Sequence, residues 1–260
     1  MSKSDYAFLQ GLEDEDVYLL DRVSEWIEHS EERYKTNFSA FLDDRQSELV
    51  RRLCASKRFD RYLLWGGYED AERNMLCVYP PYEEVTHEDF PMKALNFCYR
   101  QEDRLTHRDI LGALMNLGIK RDSVGDILVG EGKSFAFLRD PAAQTALMSI
   151  EKIGRVGVKV TEGFDPSAVK APKTVEKSGF AASLRADCVL SIALGLSREK
   201  CARLIKTTGI AVDHITRYSP DTKLSEGCRF SVRGYGKFLF KSIDGVSKKD
   251  RIHITVCKFV

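Results

Sequence analysis

The sequence predicts a multidomain α+β protein, and three observations lead to that class. Its 260 residues suit two or three compact domains. Apolar residues recur at helical spacing in some segments and cluster as in strands in others. The charge also changes along the chain: residues before Lys170 carry 22 Lys and Arg against 31 Asp and Glu, whereas the rest carry 18 against 8. We therefore expect an acidic body followed by a basic C-terminal domain.

Residues 1–89 are predicted to form a mixed α/β domain. Two amphipathic helices follow from apolar residues at helical spacing: Leu9, Leu12, Leu20, Val23, Trp26 and Ile27 in the first, and Phe38, Phe41, Leu42, Leu49, Val50 and Leu53 in the second. Strands are predicted at residues 61–65 and 75–79, on either side of a glycine-containing turn. The region has 11 Lys and Arg against 21 Asp and Glu, so we expect it to avoid nucleic acid.

Residues 90–162 are predicted to form a ferredoxin-like β-α-β-β-α-β domain. The predicted strands cover residues 94–100, 124–129, 134–138 and 155–161, and the predicted helices cover residues 106–117 and 141–150. The first helix has Thr106 as its N-cap with Asp109 three residues later, and the second has Pro141 in its first turn. RNA-recognition modules share this order of elements, but the fold hosts many other functions.

Aromatic residues on two of these strands have the spacing of a base-stacking platform. They are Phe97 and Tyr99 on the first strand, and Phe135 and Phe137 on the third. RNA-recognition modules stack bases on such rings. Because these residues also lie on the more apolar faces of their strands, packing in the core is the interpretation that we favour.

The remainder of the chain is predicted to be a linker and a small basic domain. Residues 163–182 contain prolines, glycines and lysines without apolar periodicity, which indicates a linker. Residues 183–260 are predicted to form the domain, with helices at 184–193 and after the N-cap Ser197. Its predicted strands lie near residues 210–213, 229–233, 237–243 and 251–258.

Seven cations of the basic domain are the candidate RNA-binding residues. On the second helix, Arg203 and Lys206 lie opposite the apolar side formed by Cys201 and its neighbours. Two more cations, Arg198 and Lys200, lie in the first turn of this helix, where the helix dipole favours anions. An anionic partner is therefore a more plausible explanation for them than a surface charge without function. A solvated surface without function is the alternative. The predicted RNA-binding residues are Arg185, Arg198, Lys200, Arg203, Lys206, Arg233 and Lys237.

No catalytic, cofactor-binding or metal-binding pattern is found in the sequence. The run that ends at Lys237 is not a P-loop, because Phe238 stands where Ser or Thr is required and strands flank the turn. The seven cysteines form no C-x-x-C pair, and the five histidines lack the spacing of metal ligands. We therefore predict a protein without catalytic residues, cofactor or metal.

Localisation and assembly follow from features that are missing from the sequence. No apolar run approaches the roughly 18 residues of a membrane helix, and the N-terminus does not resemble a signal peptide. We therefore expect a cytoplasmic protein without a membrane segment. We also expect a monomer, since no heptad stripe is present.

Two resemblances add to these expectations. The C-terminal segments at residues 184–190, 196–205 and 209–213 resemble, in their order, the S4-type RNA-binding domain, which is named after a small-subunit ribosomal protein. The whole chain resembles the bacterial YlmH family. The supporting motifs lie at residues 41–45, 66–73, 107–115, 117–121, 125–128 and 231–237.

The YlmH resemblance implies an N-terminal domain, an RNA-recognition-like middle domain and a C-terminal S4-type domain. It implies a cytoplasmic protein that binds rRNA or tRNA, associated with the large ribosomal subunit carrying peptidyl-tRNA when translation stalls. We therefore expect a non-catalytic RNA-binding factor. Two alternatives remain open: an RNA-modifying enzyme that an S4-type domain directs to its substrate, and a protein-binding adaptor linked to cell division.

Overall fold

The computed structural model describes Tyr6, Leu12 and residues 14–168, 174–213, 215–247 and 251–259. The chain divides into two compact units, Met1–Lys170 and Ala171–Val260. Each unit combines helices with antiparallel sheets, which confirms the predicted α+β class. Across the part of the chain that the structure describes, no helix is both long enough and apolar enough to cross a membrane.

The first part of the N-terminal unit is a three-stranded sheet covered by two helices. Its elements are α1 (Asp14–Glu32), β1 (Asn37–Leu42), α2 (Asp44–Lys57), β2 (Tyr62–Trp65) and β3 (Asn74–Val78). The strands lie in the order β1-β3-β2 and pair antiparallel. Leu20 and Val23 from α1 pack with Leu49 and Leu53 from α2 and with Leu76 from β3. This core therefore holds both helices against the sheet.

The prediction of one helix from Phe38 to Leu53 is wrong in its first half. Residues Asn37–Leu42 form β1, which pairs with β3. The helix begins only after Asp43, whose carboxylate accepts a hydrogen bond from the Gln46 backbone N–H while the Gln46 side chain accepts one from the Asp43 N–H. In the first predicted helix, α1 begins after Leu12, and Leu9 lies outside the described residues.

The second part of the N-terminal unit has the ferredoxin-like order that the sequence predicts. Its elements are β4 (Met92–Cys98), α3 (His107–Asn116), β5 (Val124–Val129), β6 (Lys133–Arg139), α4 (Asp140–Ser149), β7 (Lys152–Ile153), β8 (Val156–Gly157) and β9 (Lys159–Glu162). The four-stranded sheet has the order β5-β6-β4-β9 with antiparallel neighbours. The predicted capping box of Thr106 and Asp109 is present at the start of α3.

The two parts of this unit share an apolar core. Phe41 and Met75 from the first part pack with Phe90 and Phe137 from the second. Helices α3 and α4 cover the opposite face of the four-stranded sheet, where Leu95 and its neighbours are buried. The predicted boundary between residues 89 and 90 therefore does not separate two independent bodies.

The C-terminal unit is a six-stranded antiparallel sheet with two helices on one face. Its elements are β10 (Thr174–Ala181), α5 (Ala186–Leu194), α6 (Arg198–Thr208), β11 (Ile210–Val212), β12 (Ile215–Arg217), β13 (Arg229–Val232), β14 (Gly236–Val246) and β15 (Ile252–Phe259). The strand order is β10-β15-β14-β13-β11-β12. Leu190 from α5 and Ile205 from α6 are buried against Phe230 and Phe238 of the sheet.

The predicted linker at residues 163–182 is wrong for its second half. Residues Thr174–Ala181 form β10, which pairs with β15 along its whole length. Most side chains of this edge strand are exposed, so backbone hydrogen bonds hold it and the sequence has no apolar period to reveal it. Residues 169–173 of the predicted linker lie outside the described residues. The short strand β12 was also missed by the sequence analysis.

Asp126 joins the two parts of the N-terminal unit. A β-bulge in β5 interrupts its register with β6 at this position. The Asp126 carboxylate accepts hydrogen bonds from the Tyr68 hydroxyl at 2.7 Å and from the backbone N–H groups of Glu72 at 2.7 Å and Arg73 at 3.2 Å. Burial, followed by the hydrogen bond to Asp126, raises the pKa of Tyr68, so its hydroxyl stays protonated and donates.

Close packing requires a glycine before each partner of the Tyr68–Asp126 hydrogen bond, namely Gly67 and Gly125. An ideal Cβ on Gly125 would lie 2.6 Å from the Phe41 ring, and one on Gly67 would lie 2.2 Å from the Phe137 ring. Gly67 also has a φ of +99°, which favours glycine. The motifs at residues 66–73 and 125–128 are therefore explained by the contact between a loop and a strand, while the acidic side chains of that loop, Glu69, Asp70 and Glu72, are exposed to solvent.

We predict that Asp126→Ala destabilises the protein by roughly 2–4 kcal/mol, since the tyrosine hydroxyl and two backbone N–H groups lose a charged acceptor. Urea unfolding of the full chain, followed by circular dichroism, measures this change. Asp122→Ala, which removes an exposed carboxylate from the same region, should have little effect. Equal losses in the two variants would contradict the role of Asp126.

Candidate nucleic-acid interface

A buried carboxylate organises the start of both C-terminal helices. Asp187 lies in the first turn of α5 and is only 2% exposed. The Arg185 guanidinium donates two hydrogen bonds to its two oxygens, from Nε and Nη2, each at 3.1 Å. Arg198, the first residue of α6, donates from Nε to the same carboxylate at 2.8 Å. We call this group the Asp187 clamp, made of Arg185, Asp187 and Arg198.

The clamp keeps Asp187 charged. Burial by itself would raise the pKa of the Asp187 carboxyl, but the hydrogen bonds from Arg185 and Arg198 outweigh burial, and its pKa lies below the ordinary value. The same contacts raise the pKa of both arginines. Two of the seven predicted RNA-binding cations therefore have a structural role. Arg198 nevertheless keeps about half of its side chain exposed (51%).

Three predicted cations form one exposed strip along α6. Arg203 lies opposite the buried residues Cys201 and Ile205, and Lys200 and Lys206 lie about 60° to either side of it. We call these three cations the α6 strip. Ser197 caps the helix, as predicted, by accepting a hydrogen bond from the Lys200 backbone N–H.

The cation at the centre of the α6 strip has an acidic neighbour on the same helix. Arg203 contacts Glu199 at 3.3 Å, and both side chains are more than three-quarters exposed. Such surface pairs contribute little free energy and are screened by salt. Arg203 can therefore exchange this partner for a phosphate at low cost.

The other two predicted cations lie on the opposite face of the sheet. Phe230 and Phe238 face the helices in the core, and they pair across β13 and β14. Because side chains alternate along a strand, Lys237 points to the face away from α5 and α6. Arg233 lies in the turn between β13 and β14, where it lines a depression together with Lys237. The seven predicted cations therefore do not form one surface, because the clamp and the strip belong to the helices, whereas Arg233 and Lys237 belong to the β13–β14 hairpin of the sheet.

Arg233 and Lys237 line a depression that the sequence analysis did not foresee. It has a volume of about 490 Å³ and is also lined by Tyr218, Ser231, Ala211 and Gly209. Tyr218 was missed because it follows β12, a strand of three residues with no clear sequence pattern. The available signal was the two-residue spacing of Thr216 and Tyr218, which in extended backbone places both side chains on the same side of the chain.

The aromatic residues of the middle sheet are not open to a base. Phe97 is buried on the face that α3 and α4 cover. Phe135 and Phe137 are each 1% exposed on the other face, where Phe164 lies against both rings with centroid distances of 5.1 and 5.0 Å. Tyr68 stacks on Phe137 at 5.2 Å. The predicted core role of these three phenylalanines is confirmed.

Comparisons with known proteins point to one family. A family model described as "Putative RNA-binding domain in YlmH" matches residues 85–164. The Bacillus subtilis (strain 168) protein named "Ribosome-associated protein quality control protein P2" is 30% identical over 240 residues, which cover 91% of this chain and 92% of that protein. A solved structure, "Cell division protein ylmH from Streptococcus pneumoniae", has a TM-score of 0.52 at 27% identity and covers 62% of this chain and 99% of its own.

We predict that Asp187→Asn lowers the free energy of unfolding at neutral pH by roughly 1.5–3 kcal/mol, the usual value of hydrogen bonds to a charged group. The folded pKa of Asp187 lies below the value of 3.8 for an unfolded aspartate. The stabilisation is therefore complete above pH 3.8 and is lost as the pH falls through the folded pKa.

Urea unfolding of both full-length proteins over a series of pH values measures this difference. The gap between wild type and variant should be constant near neutrality and should shrink in acid. Asp221→Asn is the matched control, since it removes the exposed partner of Arg185. A gap that persists in acid, or an equal loss in the control, would contradict the clamp.

Proposed function

The chain belongs to the YlmH family, and on this basis we propose that it is a non-catalytic RNA-binding protein that associates with ribosomes. The name of the Bacillus subtilis relative supports the ribosomal role, since the similarity extends over 92% of that protein. We propose rRNA or tRNA of the large subunit as the RNA, bound when translation has stalled and peptidyl-tRNA remains. The compartment would then be the cytoplasm, and we propose that the chain acts as a monomer.

The observation that carries this proposal is the α6 strip. Lys200, Arg203 and Lys206 are three exposed cations on one side of a capped helix, and the Asp187 clamp fixes the start of that helix. Phosphate contacts set the register of a protein on RNA when the cations stand on a rigid support. The helix pair followed by antiparallel strands supports an S4-type domain in residues 183–260.

The state of the buried cysteines supports a non-catalytic role. Burial raises the pKa of Cys54 and Cys77 to about 12, and that of Cys201 and Cys228 to about 11. A nucleophilic cysteine requires a lowered pKa, because the thiolate is the reactive form. These four thiols are protonated at neutral pH and act as small apolar side chains.

We predict that Lys200→Glu/Arg203→Glu/Lys206→Glu abolishes co-sedimentation with large ribosomal subunits on sucrose gradients at low salt, because the reversed strip repels phosphates. The control is Arg33→Glu/Lys35→Glu/Lys57→Glu, which changes the net charge equally at exposed positions of the N-terminal unit. Equal co-sedimentation of both variants would contradict binding through α6. If nuclease treatment leaves the wild-type complex intact, a protein partner is indicated instead.

The slope of log K against log salt concentration measures the number of phosphates that the α6 strip neutralises. If each cation of the strip contacts one phosphate of a duplex, Lys200→Ala/Arg203→Ala/Lys206→Ala should make the log–log salt slope less steep by about 2.7. Titration of purified large subunits at several salt concentrations measures the slope. An unchanged slope would show that other cations hold the RNA.

A further inference from the structure

The solvent-facing side of the C-terminal sheet contains a depression with the chemistry of a nucleotide site. Four strands form its floor, because Thr216 pairs with Ala211, Ala211 with Ser231, and Ser231 with Lys237. The two central side chains of this row, Ala211 and Ser231, are small, and the depression lies above them. Its volume of about 490 Å³ is within the range of about 300–1,000 Å³ that is usual for ligand pockets.

One wall of the depression carries an exposed aromatic ring. Tyr218 is 60% exposed, although the ring lines the depression and has an apolar face. The neighbouring Gly209 has a φ of +80°, and an ideal Cβ there would lie 2.6 Å from Thr216 Cγ2 and 3.2 Å from Tyr218 Cε1. A side chain at this position would therefore clash with the Thr216 methyl group and crowd the edge of the ring. Aromatic rings beside cations are the usual stacking surface for unpaired bases.

The opposite wall of the depression carries two cations, Arg233 and Lys237. Arg233 lies in the β13–β14 turn and Lys237 lies in β14 just after it, where Gly234 and Gly236 have positive φ angles. Ser231 supplies a hydroxyl on the floor, which can donate to or accept from a ribose or a base.

We propose that this depression binds one unpaired nucleotide of RNA, with its base stacked on Tyr218 and its phosphate held by Arg233 and Lys237. The proposal rests on the proposed RNA-binding function and adds a second contact to it. The α6 strip consists of cations alone and suits the phosphates of a helical RNA. The depression combines the Tyr218 ring, the Ser231 hydroxyl and two cations. These groups suit an unpaired nucleotide.

The test compares single-stranded with duplex RNA on the full chain. Fluorescence anisotropy is measured with short labelled oligoribonucleotides of adenosine or uridine, and with a blunt-ended RNA duplex. Tyr218→Ala should weaken single-strand binding about 5- to 150-fold, since a stacked base contributes about 1–3 kcal/mol. Tyr218→Phe should restore the affinity, and duplex binding should change in neither variant.

Two further variants separate stacking from other causes. Ser231→Leu fills the floor without removing a ring or a charge, so it should also weaken single-strand binding. Tyr235→Ala removes the exposed ring at the tip of the hairpin, which is not among the lining residues, and it should bind like wild type. Circular dichroism verifies that each variant is folded.

The outcomes distinguish this proposal from the proposed function. If Tyr218→Ala and Ser231→Leu bind single strands like wild type while reversal of the α6 strip abolishes ribosome binding, the depression is not the site and the function stands. If Tyr235→Ala alone weakens single-strand binding, the hairpin tip is the site and the proposal is wrong. If wild type binds neither oligonucleotides nor large ribosomal subunits, this proposal and the proposed function are both wrong. Tighter binding of free adenosine or uridine monophosphate than of the oligomers would indicate a site for free nucleotides. This result would overturn the proposal that the depression binds a nucleotide of RNA.

Discussion

The arrangement of the C-terminal unit depends on one buried negative charge. Burying an unpaired carboxylate costs several kcal/mol, and that cost is offset only when the charge is paired and hydrogen-bonded. Asp187 meets this condition through Arg185, which precedes α5, and Arg198, which begins α6. Its place in the first turn of α5 is also favoured by the helix dipole. Because one carboxylate binds the starts of both helices, it fixes the direction in which the α6 strip faces the solvent.

A second acid has a comparable role in the N-terminal unit, and it has a consequence for RNA binding. Asp126 holds the loop that contains Tyr68, and Tyr68 covers Phe137 on the face of the middle sheet that RNA-recognition modules leave open. Phe164 covers Phe135 on the same face. A base cannot reach these rings in this arrangement. Any RNA that residues 85–164 contact is therefore not held by base stacking on Phe135 or Phe137.

The two cationic areas of the C-terminal unit differ in chemistry as well as in position. The α6 strip offers long, exposed cations on a rigid helix, which recognise the spacing of phosphates but not the bases. The depression on the sheet offers Tyr218 and hydroxyl groups beside Arg233 and Lys237, which can recognise a base that is not paired. A structured RNA presents both features, because its helices are interrupted by loops and bulges. The excess of acidic residues in the N-terminal unit would favour contact through the C-terminal unit.

The sequence by itself determined the elements whose signals are local. The capping residues Thr106 and Ser197 marked the starts of α3 and α6, and the patterns of apolar residues predicted the ferredoxin-like order. The counts of charged residues predicted the basic C-terminal domain. Tertiary structure alone decided the features that depend on distant partners. Strand β10 exists because β15 supplies its hydrogen bonds, and Arg198 is a clamp residue because Asp187 is buried beside it. Tyr218 and Lys237 line one depression because strands β12, β11, β13 and β14 pair side by side. Periodicity and capping act within a few residues of the chain, whereas pairing and burial join residues that the sequence separates.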